Sequence, residues 1–366
     1  MSVGRIAAVQ AFALLLGLGC FSLALGACEA GISTGNAPAL VDGGSGVGPN
    51  GGPLGGDAAS DGGDGAGRAS ETGGDGAGPS GIKTVFLIMM ENHSWSTIQQ
   101  SDKAPYINDA LTAIGGHAEG YSTPPGNHPS ELNYIWLESG GTLGITTDDP
   151  PALNHRPNTD HLVSLLTAAG VSWKAYAEEA TGADCPLTDQ GKFVTRHIPM
   201  LFFDDVTGKN DPKSPSCIAH VRPYGELATD LAAGTVARYN FITPNLCDDM
   251  HGLTLACGTT NFDEVGAGDT WLKNEVPKIL ASDAYKNDGV LFIVWDEGDE
   301  TVVTTASDGP IPFFVLSPRA KQGYTSTTKL THSAVLRTVQ EIFGVTPLLR
   351  DAQNSPDLAE FFTTFP

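Results

Sequence analysis

The sequence has 366 residues, with 42 Asp and Glu against 20 Lys and Arg, a formal net charge of −22. That balance excludes a nucleic-acid partner, because duplex binding relies on Lys and Arg neutralising phosphates, and it excludes broad adsorption onto anionic lipid. An anionic substrate must be captured by a local positive charge, which a bound metal ion would supply.

Residues 1–27 carry one basic residue, Arg5, and then an apolar run from Ile6 to Leu25. This is the pattern of an export signal and not of a spanning helix. The run ends in Leu25-Gly26-Ala27-Cys28, which resembles the bacterial lipoprotein processing site. Cys28 is therefore the expected lipidation site, and the mature protein is expected to be exported and anchored to a membrane, facing the periplasm or the cell surface. Cys20 is weaker, since Gly17 stands where Leu25 stands for Cys28. Residues 28–81 are dominated by Gly, Ala, Asp, Ser and Pro and hold no aromatic residue. Such a segment buries too little apolar surface to offset its chain entropy, so it is expected to be a disordered tether. A tether of about 50 residues has a root-mean-square span of roughly 40 Å.

Residues 82–366, about 285 in number, are enough for one large folded domain. With Cys28 lipidated and Cys20 lost with the leader, Cys185, Cys217, Cys247 and Cys257 remain, an even number in an oxidising compartment. Cys185 with Cys217 and Cys247 with Cys257 is the most local of three possible pairings. Neither pair has the close spacing of a structural zinc site.

The domain opens on Ile82 to Met90, a branched apolar run that predicts a buried strand. Amphipathic helical patterns follow at Asp160 to Ala169, Tyr224 to Ala233, Thr270 to Ser282 and Ser333 to Phe343. Further apolar runs lie at Gly289 to Trp295 and Ile311 to Leu316. Strands alternating with helices predict an α/β sandwich with a largely parallel sheet, in which ligands bind at the carboxyl ends of the strands. Two strand endings are informative there. Met90 runs into Glu91-Asn92-His93, and Trp295 runs into Asp296-Glu297, so acidic groups face one sheet edge.

A Pro/Gly loop leads to His128-Pro129-Ser130, and the proline places Ser130 in the first turn of a helix. There backbone N–H groups and the helix dipole favour a phosphate. A neutral serine hydroxyl needs a base or a metal to become a nucleophile. Glu91, Asn92, Asp296 and Glu297 offer an oxygen-rich cage for a hard cation, Ca²⁺ or Mg²⁺, which would also engage Ser130. Another strand pattern ends in Asn245 and Asp248-Asp249-Met250-His251, and Thr331-His332-Ser333 precedes the last helix. His128, His251 and His332 are candidates to protonate the leaving oxygen or to bind phosphate. His117, His155, His161, His197 and His220 have no comparable setting.

Taken in order, Met90-Glu91-Asn92-His93-Ser94, His128-Pro129-Ser130 with Asn133-Tyr134, Asn245 with Asp249-Met250-His251, Trp295-Asp296-Glu297 and Thr331-His332-Ser333 resemble the phosphoesterase family of bacterial phospholipases C and acid phosphatase A type enzymes, within the alkaline phosphatase superfamily. The resemblance implies a three-layer α/β/α fold and a phosphorylated-enzyme mechanism. It implies Ser130 as nucleophile, with Glu91, Asn92, Asp296 and Glu297 as metal ligands. His128, Asp249, His251 and His332 are implied as substrate or leaving-group contacts. The stretch from Ser333 to Val335 replaces a more aromatic one, which leaves the pocket wall and the choice between phospholipid and soluble phosphomonoester open. The competing expectations are a non-catalytic surface lipoprotein that binds a glycan or lipid headgroup, and a sulfatase. The latter lacks support because no arginine follows Pro129 at the spacing of a sulfatase motif.

Overall fold

The computed structural model describes residues 81–365 apart from 158, 253–254, 259–260 and 300–306. The leader, Cys20, Cys28 and the tether up to residue 80 lie outside those residues.

Among the described residues, eight strands make one sheet: β1 (Thr84–Met90), β2 (Gly116–Ala118), β3 (Trp173–Ala177), β4 (Val221–Pro223), β5 (Tyr239–Thr243), β6 (Gly289–Trp295), β7 (Phe313–Leu316) and β8 (Tyr324–Ser326). Their order is β4-β3-β5-β1-β6-β7-β2-β8. β1 lies between β5 and β6, parallel to both, while β7 runs antiparallel to β6 and to β2. Every residue of β1 and β6 is buried. Successive side chains on a strand point to opposite faces, so full burial means that layers cover the sheet on both sides, the three-layer α/β/α arrangement.

The longer helices are α1 (Ser130–Ser139), α2 (Leu162–Ala168), α3 (Gly225–Ala233), α4 (Glu264–Ala281) and α5 (His332–Phe343). Four fall where the apolar periodicity predicts a helix. α4 starts six residues earlier than expected, at Glu264, because the Asp263 side chain accepts a hydrogen bond from the Gly266 amide and caps it there. Gly266 and Gly268 weaken the helical signal of that first stretch, yet Gly268 has a packing reason. A Cβ on it would meet Met250 Cγ at 2.3 Å, so glycine lets the helix approach the loop after β5. Disulfides join Cys185 to Cys217 and Cys247 to Cys257, the most local pairing.

Candidate active site

The site is built on the carboxyl ends of β1, β5 and β6. Met90 is paired with Trp295 in the parallel ladder, so the residues that follow, Glu91 and Asp296, emerge side by side, about 4.8 Å apart in a sheet. The Asp296 amide donates to the Met90 carbonyl at 2.9 Å, and the Glu91 amide donates to the Asp249 carbonyl at 2.8 Å. Asn92 turns the chain at a φ of 48°, a left-handed conformation that Asn tolerates better than most residues. Its amide donates to Asp296 Oδ1 at 2.9 Å.

Ser130 is the first residue of α1 and is buried. Its Oγ lies 3.3 Å from Glu91 Oε2 and 3.5 Å from Glu297 Oε1, so one hydroxyl proton faces two buried carboxylates. The same helix presents Asn133, whose Nδ2 donates to Glu297 Oε2 at 2.9 Å, and Tyr134, whose hydroxyl donates to Glu91 Oε1. Positions 130, 133 and 134 share one helix face, and that face meets both strand ends.

Four carboxylates are thus enclosed: Glu91, Asp249 and Asp296 are 0% exposed and Glu297 is 2%. Burial pushes the Glu91 carboxyl well above the ordinary range, and Asp296 and Asp249 push it further. Burial raises Asp296 as well, with Glu297 adding to it, and burial raises Asp249. Glu297 is raised by burial even against the pull of His128. A cluster of this kind holds protons or a cation, because uncompensated buried charge is costly.

His128 carries one compensating charge. Its Nδ1 lies 3.0 Å from Glu297 Oε2 and its Nε2 lies 2.6 Å from Asp308 Oδ2. The hydrogen bond to Glu297 leads the effects that bring its pKa to about 9. His332 has the opposite character. Its Nε2 donates to the Asp296 carbonyl at 2.8 Å and its Nδ1 stands 2.9 Å from the Tyr121 hydroxyl. It is fully buried, which lowers its pKa to about 4, so it is a neutral ring with both nitrogens engaged behind the carboxylates. Asp249 accepts from the His251 amide at 2.8 Å through Oδ1, and the partly exposed His251 ring lies 6.0 Å from that of His197.

His197, for which the sequence offered no comparable setting, lies against the carboxylate cluster. It is buried, stacked on Tyr134 at 4.9 Å with the rings 1° from parallel. Its Nε2 lies 3.2 Å from Glu91 Oε1 and its Nδ1 lies 3.4 Å from Asp249 Oδ2. Burial holds its pKa well below 6.5. It sits in a 3₁₀ turn, Thr195–His197, so no strand end or helix start marked it in the sequence. Arg196 beside it lies 3.4 Å from Asp148 Oδ2, and Asp148 Oδ1 accepts from the Glu131 amide at 3.0 Å in the first turn of α1. Asp308, the second partner of His128, likewise had no sequence signal.

Among the described residues, Asp296 Oδ2 is buried with no hydrogen-bond partner, and the donors around Ser130 are hard oxygens carrying excess negative charge. That set fits a hard divalent cation in donor type and in charge. Among the described residues, no three His, Cys, Asp or Glu side chains already converge in coordination geometry, so the fit is one of chemistry.

Comparison with known proteins places this geometry in context. The model of the phosphoesterase family matches residues 100–346. The phosphatidylinositol-3-phosphatase of Mycobacterium tuberculosis is 26% identical over 279 residues, covering 76% of this chain and 82% of that protein. The phosphate-repressible acid phosphatase of Penicillium chrysogenum is 25% identical over 232 residues, covering 61% of this chain and 51% of that protein, so the chain spans about half the length of this fungal relative. Among solved structures, an alkaline phosphatase superfamily protein from Vibrio parahaemolyticus aligns with a TM-score of 0.48 at 10% identity, covering 76% of this chain and 72% of that one. The phosphonate monoester hydrolase of Agrobacterium radiobacter aligns with a TM-score of 0.48 at 12% identity, covering 76% and 77%.

Proposed function

This chain belongs to the phosphoesterase family and is a phosphoric ester hydrolase, and from that premise we propose that Ser130 is its nucleophile and that Glu91, Asn92, Asp296 and Glu297 hold a divalent cation, Ca²⁺ or Mg²⁺. The observation that carries the reading is the Ser130 hydroxyl at the start of α1, set between Glu91 Oε2 and Glu297 Oε1. A cation bound there supplies charge neutralisation for the cluster and for a substrate phosphate.

The chain's own residues divide the work. Glu91 or Glu297 takes the Ser130 proton as the oxygen attacks phosphorus in line. Tyr134 fixes the Glu91 carboxylate from its other oxygen, and Asn133 with His128 fixes that of Glu297. His128, with its pKa raised to about 9, offers charge to the transferring phosphoryl group, and the leaving-group proton is assigned to the partly exposed His251, whose ring lies 6.0 Å from that of His197. His332 and Asp249 position the strand ends. Water then cleaves the phosphoserine. Catalysis of this type rests on positioning and charge stabilisation.

The curated relatives described above are named as phosphatases, which favours a phosphomonoester over the phospholipase C reaction. The non-catalytic lipoprotein reading is disfavoured because serine, carboxylates and histidines all converge. We also infer export and anchoring through Cys28, a reading that the two disulfides of the domain support.

The test is hydrolysis of p-nitrophenyl phosphate and p-nitrophenyl phosphorylcholine, with and without chelator, by wild type and Ser130→Ala. Wild type should hydrolyse the monoester, and both chelator and Ser130→Ala should abolish turnover. Equal rates for wild type and the alanine variant would remove Ser130 from the mechanism.

A further inference from the structure

Arg196 stands beside the carboxylate cluster with its donors incompletely used. It precedes His197 in the turn Thr195–His197, and His197 reaches Glu91 Oε1 at 3.2 Å and Asp249 Oδ2 at 3.4 Å. Arg196 Nε is buried and, among the described residues, has no hydrogen-bond partner. Its two ion pairs are long. Nε lies 3.4 Å from Asp148 Oδ2 and Nη1 lies 3.8 Å from Asp189 Oδ2, beyond the roughly 2.7–3.2 Å of an N–H···O hydrogen bond. Both acids are partly exposed, and Asp189 Oδ1 already accepts from the amide and the hydroxyl of Thr195. Ion pairs of this kind contribute little, so the guanidinium is held loosely and is free to exchange one anion for another.

Asp148 ties Arg196 to the serine. Its Oδ1 accepts from the amide of Glu131, the residue after Ser130, at 3.0 Å, so across one carboxylate Arg196 Nε lies no more than about 9 Å from that amide. A phosphate with its phosphorus about 3–3.5 Å from the serine oxygen, accepting from a guanidinium at about 2.8 Å, bridges most of that gap. The swing of the arginine stem covers the rest. The charges of the pair are felt inside the cluster. Burial raises Asp249 and Arg196 pulls it back, while burial raises Glu297 and Asp148 pushes it further. The other guanidinium close to α1 is Arg156, whose charge reaches Glu131, but it donates to the carbonyls of Leu143, Asn154 and His155. His128 serves the cluster from the Glu297 side, and Arg196 approaches from the His197 side.

We propose that Arg196 binds the substrate phosphate, exchanging Asp148 for its unsubstituted oxygens, and that this guanidinium selects phosphomonoesters over phosphodiesters. A monoester presents three strong acceptor oxygens and close to two charges, whereas a diester has one oxygen and one charge fewer. The planar guanidinium fork grips two such oxygens at once, so the gain falls mainly on the monoester. Asp148 is the anion that Arg196 gives up, which makes it a brake on phosphate binding. The inference rests on the phosphoesterase reading and names the residue that gives that site its substrate class.

The experiment uses the full chain, with the same divalent cation in every arm. It compares kcat/KM for p-nitrophenyl phosphate and bis(p-nitrophenyl) phosphate in wild type, Arg196→Gln, Arg196→Lys and Asp148→Asn. Calorimetric binding of inorganic phosphate is measured beside it, in a Ser130→Ala background that cannot turn over. Arg196→Gln should lower kcat/KM for the monoester about 10- to 100-fold, the effect of losing a charged hydrogen bond, and for the diester by no more than about threefold. Arg196→Lys should restore part of the monoester rate, since it returns the charge without the fork. Asp148→Asn keeps an oxygen for the Glu131 amide and should tighten phosphate binding about threefold, the effect of one exposed ion pair. A structural role for the pair would instead make both variants worse. Equal losses on monoester and diester in Arg196→Gln, with phosphate binding unchanged, would overturn the proposal. Phosphate binding weakened by Asp148→Asn as much as by Arg196→Gln would overturn the exchange. Phosphate bound through Arg196 by a wild type that hydrolyses neither ester would count against the phosphoesterase chemistry and leave the binding role standing.

Discussion

Removing divalent cations from the purified protein should lower its melting temperature, and the loss should grow as pH rises. Glu91 Oε2 and Glu297 Oε1 lie 3.3 and 3.5 Å from the same serine oxygen. At a separation of no more than about 7 Å and an effective dielectric constant of about 20, one pair of like charges costs at least about 2.4 kcal/mol. Burial raises the carboxyls of Glu91, Asp249, Asp296 and Glu297 in the folded state. The cation-free folded protein therefore binds more protons than the unfolded chain. Its stability contribution from these groups is full below about pH 4 and is lost as pH rises through the folded values. A cation at a hundred times its Kd restores about 2.7 kcal/mol. For a domain of this size that is about 5 °C, at roughly 2 °C per kcal/mol. The gap between cation-loaded and chelated melting curves should be widest near pH 8 and should close toward pH 5, where protons occupy the same oxygens. Circular dichroism melts with chelator, Ca²⁺, Mg²⁺, Mn²⁺ or Zn²⁺ across that range measure it. Coincident curves at every pH and with every ion would refute the argument.

Two further predictions concern stability away from the site. His161 is buried between Glu138, 2.8 Å from Nδ1, and Asp205, 3.0 Å from Nε2, and these partners outweigh the burial that lowers its pKa, leaving it at about 9. A raised histidine pKa stabilises fully below about pH 6.5 and ceases to do so as pH rises through about 9. His161→Gln should cost about 3–5 kcal/mol at pH 6, since it leaves Glu138 buried without its partner, and denaturant titrations should show that cost shrinking toward pH 9.5. The disulfides should differ in weight. Cys185 and Cys217 are 32 residues apart, and Cys247 and Cys257 are 10 apart, so loop-closure entropy assigns about 3.7 and 2.7 kcal/mol. Paired Cys→Ser variants in urea check the order, and a larger loss from the shorter loop would contradict it.

Much of the centre of this molecule was readable from residue order. β1 and β6 are uninterrupted apolar runs because both faces are covered, and that same burial makes the acids directly after Met90 and Trp295 conspicuous. Ser130 was readable from Pro129 and from the helical pattern behind it. The short strands β2, β4 and β8, of three residues each, leave no periodicity to read. The antiparallel direction of β7 is a property of pairing, invisible in its own four residues. His197 was missed for a related reason. It is brought to Glu91 and Asp249 by a 3₁₀ turn between loops, and its stacking on Tyr134 is a contact across 63 residues that no local spacing encodes. His332 was singled out at the start of the last helix, where it lies, but its Tyr121 and Asp296 partners, which keep the ring engaged, emerge only in three dimensions.

The central claim is that Ser130 carries phosphate covalently during turnover. Rapid acid quench of the enzyme turning over p-nitrophenyl phosphate, followed by peptide mass spectrometry, should find a phosphorylated peptide spanning Ser130 in wild type and none in Ser130→Ala. Phosphate on another residue, or none in a protein that turns over its substrate with burst kinetics, would contradict it.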